Sequence, residues 1–373
     1  MLLTTTYTAE PQTSSTPDTE SSATFVATID CTRKDAVADR ITLAEIAAEA
    51  GVALSTVSKV LNGRSDVSAA TRARLEEQLS RHGYQRRGNT RRSELIELVF
   101  PELESAWSME VIEGVRSVAT AAGLALVLTV SGNRHEPAAD WVDGALRRRP
   151  VGVVTVFSDV SAQGREKLRS RGIPLAIVDP AGDPPADVPS IGSANWTGGL
   201  VATRHLIELG HRRIAAITGP DDMMCSLARI DGYRSAMNAA GLPIDPAWVR
   251  YGDFHTTGGE THTRELLALP EPPTAIFAGS DLQALGALAA ATQAGLTVPR
   301  DLSIVGYDDI PIVQHTTPQI TTVHQPLRRM GEEATRLVLR MADGEQPDTL
   351  HVDLATHLVV RASTAPPPDH GTA

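Results

Sequence analysis

The sequence predicts a chain in two parts. An N-terminal all-α helix-turn-helix headpiece precedes an α/β body of two Rossmann-like parallel-sheet subdomains. Three observations carry this expectation. At 373 residues the chain exceeds one ordinary domain. The stretch "GVALSTVSKVLNG" at 51–63 joins a glycine turn to a short helix with hydroxyls and a lysine among its apolar positions. Behind it, from 95 to 364, short Val/Ile/Leu-rich runs alternate with helical stretches, as buried parallel strands and their crossover helices do.

The composition bounds the class. Hydrophobic residues make up 42%, enough to build cores, and no run approaches the ~20 apolar residues of a membrane span. Residues 1–40 are rich in Ser, Thr and Pro and lack the basic start, apolar middle and cleavage site of a secretory signal. They are expected to form a disordered tail. Cys31 and Cys225 are the only cysteines, so neither a disulfide framework nor a thiolate metal cage is expected, and a reduced cytoplasm fits. The net charge of −11 argues against nucleic acid until its distribution is considered. Between Ile41 and Arg92 nine Lys/Arg face five Asp/Glu, a local cationic excess in an acidic chain. Such asymmetry is the footprint of a small nucleic-acid module on an acidic body.

The headpiece is assigned to 41–84 and to three short helices. Thr42 with Glu45 has capping-box spacing, and Leu43, Ile46, Ala47 and Ala50 recur at helical intervals. Gly51 ends that helix because glycine enters the left-handed region cheaply. The next helix starts near Ser55, points Val57, Val60 and Leu61 inward, and closes at Asn62-Gly63. Ser68 caps a third, with Leu75 and Leu79 on its apolar face. The outer face of the second helix carries Leu54, Ser55, Thr56, Ser58, Lys59 and Asn62. The DNA major groove admits one helix and displays donors, acceptors and thymine methyls. Ser55 suits a base edge and Leu54 a methyl, Thr56, Ser58 and Lys59 suit bases or phosphates, and Asn62 suits a phosphate. A three-helix bundle with a merely solvated outer face is the plainer alternative.

The segment "TLAEIAAEAGVALSTVSKVLNG…VSAATRARLEEQLSRHGY" closely resembles the headpiece of lactose-repressor-type (LacI/GalR) transcription regulators, with agreement in spacing from Thr42 to Tyr84. The resemblance implies that Leu54 and Ser55 mainly choose the base sequence; Ala53 stands where serine is usual. Thr42, Arg86 and Arg87 complete the expected DNA-binding set. The linker, 85–94, departs from the family. "QRRGNTRRSE" lacks the usual proline turn and the leucines that wedge into the minor groove and bend the duplex. Arg86, Arg87, Arg91 and Arg92 are suited to phosphates or a narrow minor groove, with a charged flexible linker as the alternative. Less DNA bending than the family norm is expected.

The body is read as two successive βαβ blocks. The first holds "ELIELVFP", "LALVLTV", "VGVVTVFS" and "PLAIVD"; the second, following "SIGSANWTGG", holds "RRIAAITG", "VRYGDF", "TAIFAGS" and "LSIVGYDD". Ligands bind at the carboxyl ends of such strands, so a cleft between facing blocks is the default site. No G-x-G-x-x-G, phosphate loop, placed catalytic motif or metal-ligand spacing occurs, so no cofactor, metal or enzyme activity is expected. His255, His262, His351 and His357 are assigned to the surface.

Phrases such as "HLIELGHRRIAAITGP", "RIDGY" and "GLTVPRDLSIVGYDD" extend the resemblance to the family's effector domain, and the body alone would also match periplasmic sugar-binding proteins. Expected effector-binding residues are Trp107, Asp179, Arg229, Phe254 and Asp281. Arg229 offers a planar fork of donors, Asp281 acceptors for sugar hydroxyls, and Phe254 an aromatic wall. By resemblance these three match effector-contacting positions. Asp281 as a helix cap and Arg229 as an ion-pair member are the structural alternatives, and Asp308 is taken as structural. The resemblance implies a homodimer on double-stranded operator DNA, released by a small-molecule effector, with a saccharide favoured. The body supplies the dimer contact, through "SMEVIEGVRSVATAAG". The alternatives are a purine or nucleoside corepressor, a cytoplasmic sugar-binding module without gene control, and, least favoured, an enzyme in the same cleft. Residues 365–373 are expected to form a disordered tail.

Overall fold

The computed structural model describes residues 42–61, 67–68, 71, 74–75, 78–79, 93–103, 106–137 and 139–368. They fall into two compact units, 1–90 and 91–373.

In the first unit, helix α1 (Leu43–Glu49) opens on the capping box. The Glu45 carboxylate accepts from the Thr42 amide at 2.5 Å, and the Thr42 hydroxyl accepts from the Glu45 amide at 3.3 Å. Gly51 takes φ +62 in the turn. Helix α2 (Leu54–Leu61) follows, starting one residue before Ser55. Thr71, Arg74, Leu75, Gln78 and Leu79 are helical, and Ser68 caps them through the Thr71 amide at 3.3 Å. Ile46, Ala47, Ala50, Val57, Val60, Leu75 and Leu79 form one buried cluster. At roughly 1.5–3 kcal/mol for each large apolar side chain, that cluster is what holds three such short helices. Arg74 also donates to the Ala50 carbonyl at 2.9 Å, closing an open carbonyl at the end of α1.

The body contains two six-stranded sheets. The first lobe is built from β1 (Leu95–Phe100), α3 (Ala106–Ala121), β2 (Ala125–Val130), α4 (Ala139–Arg148), β3 (Val153–Val156), α5 (Ala162–Ser170), β4 (Leu175–Val178) and β5 (Ser190–Ser193). The second holds α6 (Asn195–Glu208), β6 (Ile214–Thr218), α7 (Met224–Ala239), β7 (Val249–Tyr251), α8 (Thr256–Leu267), β8 (Ala275–Ala278), α9 (Asp281–Gln293), β9 (Ser303–Asp308) and β10 (Thr321–His324). The chain then returns to the first lobe through α10 (Leu327–Ala342) and β11 (His351–Leu354), and crosses again to β12 (His357–Val359). Strand orders are β11-β5-β4-β3-β1-β2 and β12-β10-β9-β8-β6-β7, parallel throughout except for β12.

Two expectations need correction. The blocks are not successive: α10 and β11, drawn from the far end of the chain, complete the first lobe by packing on α3 and pairing with β5. Order also runs past 364. Ala365 accepts from His211 at 2.9 Å and is bonded to Ser303, so its backbone polar groups are satisfied by the second lobe. The expectations for residues 1–40, for most of the linker and for 369–373 lie outside the described residues.

Candidate effector cavity and DNA-reading face

In the first unit, burial of Val57 and Val60 turns the opposite side of α2 outward. Leu54, 52% exposed, Ser55 and Ser58 are exposed, and Thr56 and Lys59 are partly so. An exposed leucine beside hydroxyls on a helix N-terminal turn presents an apolar and a polar contact at once. Thr42 is exposed, but its hydroxyl is committed to Glu45. Asn62, Arg86 and Arg87 lie outside the described residues.

In the body, strand ends from both lobes converge on a cavity of about 220 Å³. Its apolar walls are Phe100, Trp107, Phe157 and Phe254, and its polar groups include Asp179, Arg229 and Asp308. Trp107, in the first turn of α3, stacks on Phe157 just beyond β3 with ring centroids 5.0 Å apart and planes 24° from parallel. Among the described residues six non-glycines have φ between +50 and +112, and four of them, Phe157, Asp179, Phe254 and Asp308, line this cavity. Each such backbone costs of order 1–3 kcal/mol and persists where surrounding contacts enforce it, as at ligand clamps.

Arg229 occupies the centre. Its Nε donates to Asn195 at 2.8 Å, Nη1 to the Gly279 carbonyl at 2.5 Å and Nη2 to Gln325 at 3.3 Å. The guanidinium lies 3.8 Å from the Tyr307 ring centroid and 5.5 Å from that of Phe254. Helix α6 can approach α7 here because Gly199 has no Cβ; one would lie 2.1 Å from the Arg229 carbonyl. Asp308 Oδ1 is 3.9 Å from Nη1, too far for a hydrogen bond, and is a buried acceptor with no partner. Burial raises the Asp308 carboxyl well above its ordinary range against the pull of Arg229, with Asp281 and Asp179 adding to the rise. Burial likewise raises Asp179, opposed by Arg229 and by a hydrogen bond from Asn195. The Cys225 thiol on the wall is pushed up to about 12 by burial, so it is no thiolate nucleophile.

Ion pairs bridge the lobes at the rim. Asp222 of the second lobe meets Arg134 at 3.1 Å and His135 at 2.8 Å, and His255 meets Glu102 at 3.4 Å. His135 and Arg134 hold the Asp222 carboxyl below its usual range.

Four of the five expected effector residues, Trp107, Asp179, Arg229 and Phe254, line the cavity together. Asp281 does not. It is 0% exposed, and its two oxygens accept from Thr322 at 2.6 Å and from the Ile310 amide at 2.8 Å. Burial raises this carboxyl to about 7, and its place is behind the wall, holding the segment after β9. Asp308, taken as structural from sequence, is on the wall instead, and His255, assigned to the surface, is at the rim. Phe157 was missed; as the residue just after a Val-rich strand it carried the same strand-end signal as Asp179.

Comparison with known proteins places this geometry. The family described as "Bacterial regulatory proteins, lacI family" matches residues 42–87, and the "Periplasmic binding protein-like domain" matches 203–364. The HTH-type transcriptional regulator CelR of Thermobifida fusca is 37% identical over 337 residues, covering 87% of this chain and 98% of CelR. The HTH-type transcriptional repressor CytR of Escherichia coli K12 is 32% identical over 328 residues, covering 87% and 96%. The solved CelR–cellobiose complex matches with a TM-score of 0.65 and 35% identity over 86% of this chain and 99% of that one. A LacI family regulator from Enterococcus faecium with bound ribose matches with a TM-score of 0.66 and 25% identity, over 73% and 99%. The similarity runs along nearly the full length of CelR and CytR, and the chain belongs to the lacI family of DNA-binding transcriptional regulators.

Proposed function

We propose that this protein is a cytoplasmic, homodimeric repressor that leaves its operator when a neutral saccharide fills the cavity. The supporting observation is the pairing, in one cavity, of a stacked Trp107–Phe157 wall with the unpartnered carboxylate oxygen of Asp308. Aromatic faces suit the C–H faces of a sugar ring, and buried carboxylates suit its hydroxyls. Trp107, Asp179, Arg229, Phe254 and Asp308 form the proposed contact set. Glu102, Asp179, Asp253 and Asp308 face Arg134 and Arg229 around the same space, a balance that disfavours phosphorylated sugars. CelR is solved with cellobiose, so cellobiose is the first probe.

Effector and operator affinities are linked if the effector binds the two lobe arrangements unequally. Dimerisation through the first lobe is supported by exposed Leu128 and Val130 on edge strand β2 and exposed Met109 on α3. The inner side of α3 is already covered by α10, so only its outer stripe is available.

A thermal-shift screen of the full chain against cellobiose, other saccharides and nucleosides tests the effector class, because ligand raises the melting temperature by mass action. A saccharide hit should then release the protein from operator DNA in a mobility shift. A nucleoside that tightens operator binding would overturn the proposal. Alanine at Leu54, Ser55 and Lys59 should abolish operator binding and leave effector binding intact.

A further inference from the structure

Three chain crossings join the lobes: 193–195 between β5 and α6, 325–326 between β10 and α10, and 355–356 between β11 and β12. Two hydrogen bonds at the Ala194 backbone hold the first to the third. The Ala194 amide donates to the Leu354 carbonyl at 2.9 Å, and the Thr356 hydroxyl to the Ala194 carbonyl at 3.1 Å. One side chain ties the first to the second: Gln325 Nε2 donates to Ser193 Oγ at 3.0 Å. The same amide's oxygen accepts from Arg229 Nη2 at 3.3 Å, and Arg229 Nε reaches Asn195 on the first crossing. Arg229 and Asp179 line the cavity; Gln325 and Ser193 do not, and Gln325, Ser193 and Arg229 are each at most 3% exposed.

From this network we infer that Gln325 is a positioning residue that couples the cavity to the angle between the lobes, acting through Arg229. A buried amide is costly unless both its ends are bonded, and here each end is bonded to a different part of the hinge network. Its bond to Arg229 is the longest of the three that the guanidinium makes, while the Gly279 carbonyl and the Asp308 carboxylate compete for the same cation. A ligand hydroxyl that donates to Asp308 or accepts from an Arg229 N–H shifts this balance. Gln325 transmits the shift to two crossings together, and Ala194 passes it to the third. The inference rests on the effector reading above for what enters the cavity, but not for its test.

The test is hydrogen exchange on the full-length, ligand-free protein, read in peptides covering 190–198 and 352–358. Gln325→Leu removes both amide bonds at nearly constant volume. Each of Gln325→Leu and Arg229→Lys should speed exchange at the Ala194 amide about fivefold, the factor that one lost hydrogen bond gives. If Gln325 acts through Arg229, the double variant exchanges no faster than the faster single one. Ser193→Ala, a milder change, should reproduce the Gln325→Leu pattern with β1 protection unaltered. Multiplicative effects in the double variant, or wild-type exchange at the crossings in Gln325→Leu, overturn the inference. A second arm adds cellobiose at saturating concentration: Gln325→Leu should still fill its cavity yet lose the ligand-induced change at the crossings. Retention of that change also overturns it. Failure of every saccharide to bind the wild type defeats the effector reading alone, since the ligand-free cycle stands or falls by itself.

Discussion

Asp308 illustrates what a single residue contributes here. It ends β9 with φ +112 and lines the cavity, and its buried Oδ1 has no hydrogen-bond partner. Burial, with the Asp281 and Asp179 charges close by, raises its carboxyl above the ordinary range against the pull of Arg229 and a hydrogen bond from the Asp281 backbone. A sugar hydroxyl bonds the ionised form more strongly, so binding is lost as pH falls through this raised value. Affinity for the proposed saccharide effector, measured by calorimetry over a pH series, should therefore weaken toward the acid end. Asp308→Asn should cut affinity about 10–100-fold at the alkaline end of the series, the range expected for a hydrogen bond to a charged group, and flatten the profile. The rim histidines His135 and His255 remain in that variant, so the difference isolates Asp308. Equal slopes in the two proteins would refute the assignment. At this scale the sequence was informative wherever a residue followed a strand: Asp179 and Phe254 could be found that way. It could not say which of two neighbouring carboxylates turns inward. Asp281 and Asp308 both stand at strand ends, and only the Thr322 hydroxyl and Ile310 amide, distant in sequence, draw Asp281 away from the cavity.

Elements were legible in proportion to their periodicity. The capping box at Thr42, the glycine turn at Gly51 and the Val-rich strands β3 and β4 all follow from local chemistry. Strand β5 was not, since "SIGS" contains one β-branched residue and is a strand only because β4 and β11 pair on either side. The return of α10 and β11 to the first lobe is likewise tertiary, and nothing within those segments announces it. Edge strand β2 makes its own prediction. Its outer positions Leu128 and Val130 are exposed and apolar at the end of a sheet, where soluble proteins usually place charge. If a second copy covers this strand, Leu128→Arg should convert the dimer to a monomer in sedimentation and weaken operator binding at least tenfold, because one headpiece reads one half-site. A dimer that survives this substitution would place the interface elsewhere.

For the whole molecule, stability depends on how the end of the chain is stitched to the second lobe. His211 bonds Thr274 through Nδ1 at 2.9 Å, and through Nε2 reaches Ser303 at 3.1 Å and the Ala365 carbonyl at 2.9 Å. The carbonyl requires Nε2 to carry the proton, so the neutral ring satisfies every partner, and protonating Nδ1 disturbs the Thr274 contact. Burial lowers the folded-state pKa of His211, with the Ala365 carbonyl opposing and His205 assisting. The unfolded chain then binds the additional proton near the ordinary histidine value, so His211 contributes its full stabilisation above about pH 6.5 and loses it as pH falls below that value. His205, lowered chiefly by burial, has the same sign. Asp281 and Asp308 have the opposite sign: their raised folded-state values favour the native state as pH falls from neutrality toward the carboxylate range. The wild-type melting curve therefore mixes opposing terms, and the His211→Gln variant separates them. The gap in melting temperature between wild type and variant should narrow from pH 7.5 to pH 5.5 by about 2–4 °C for each kcal/mol that His211 loses. A gap that stays constant with pH would mean that the ring titrates alike in the folded and unfolded chains, so that burial does not perturb it.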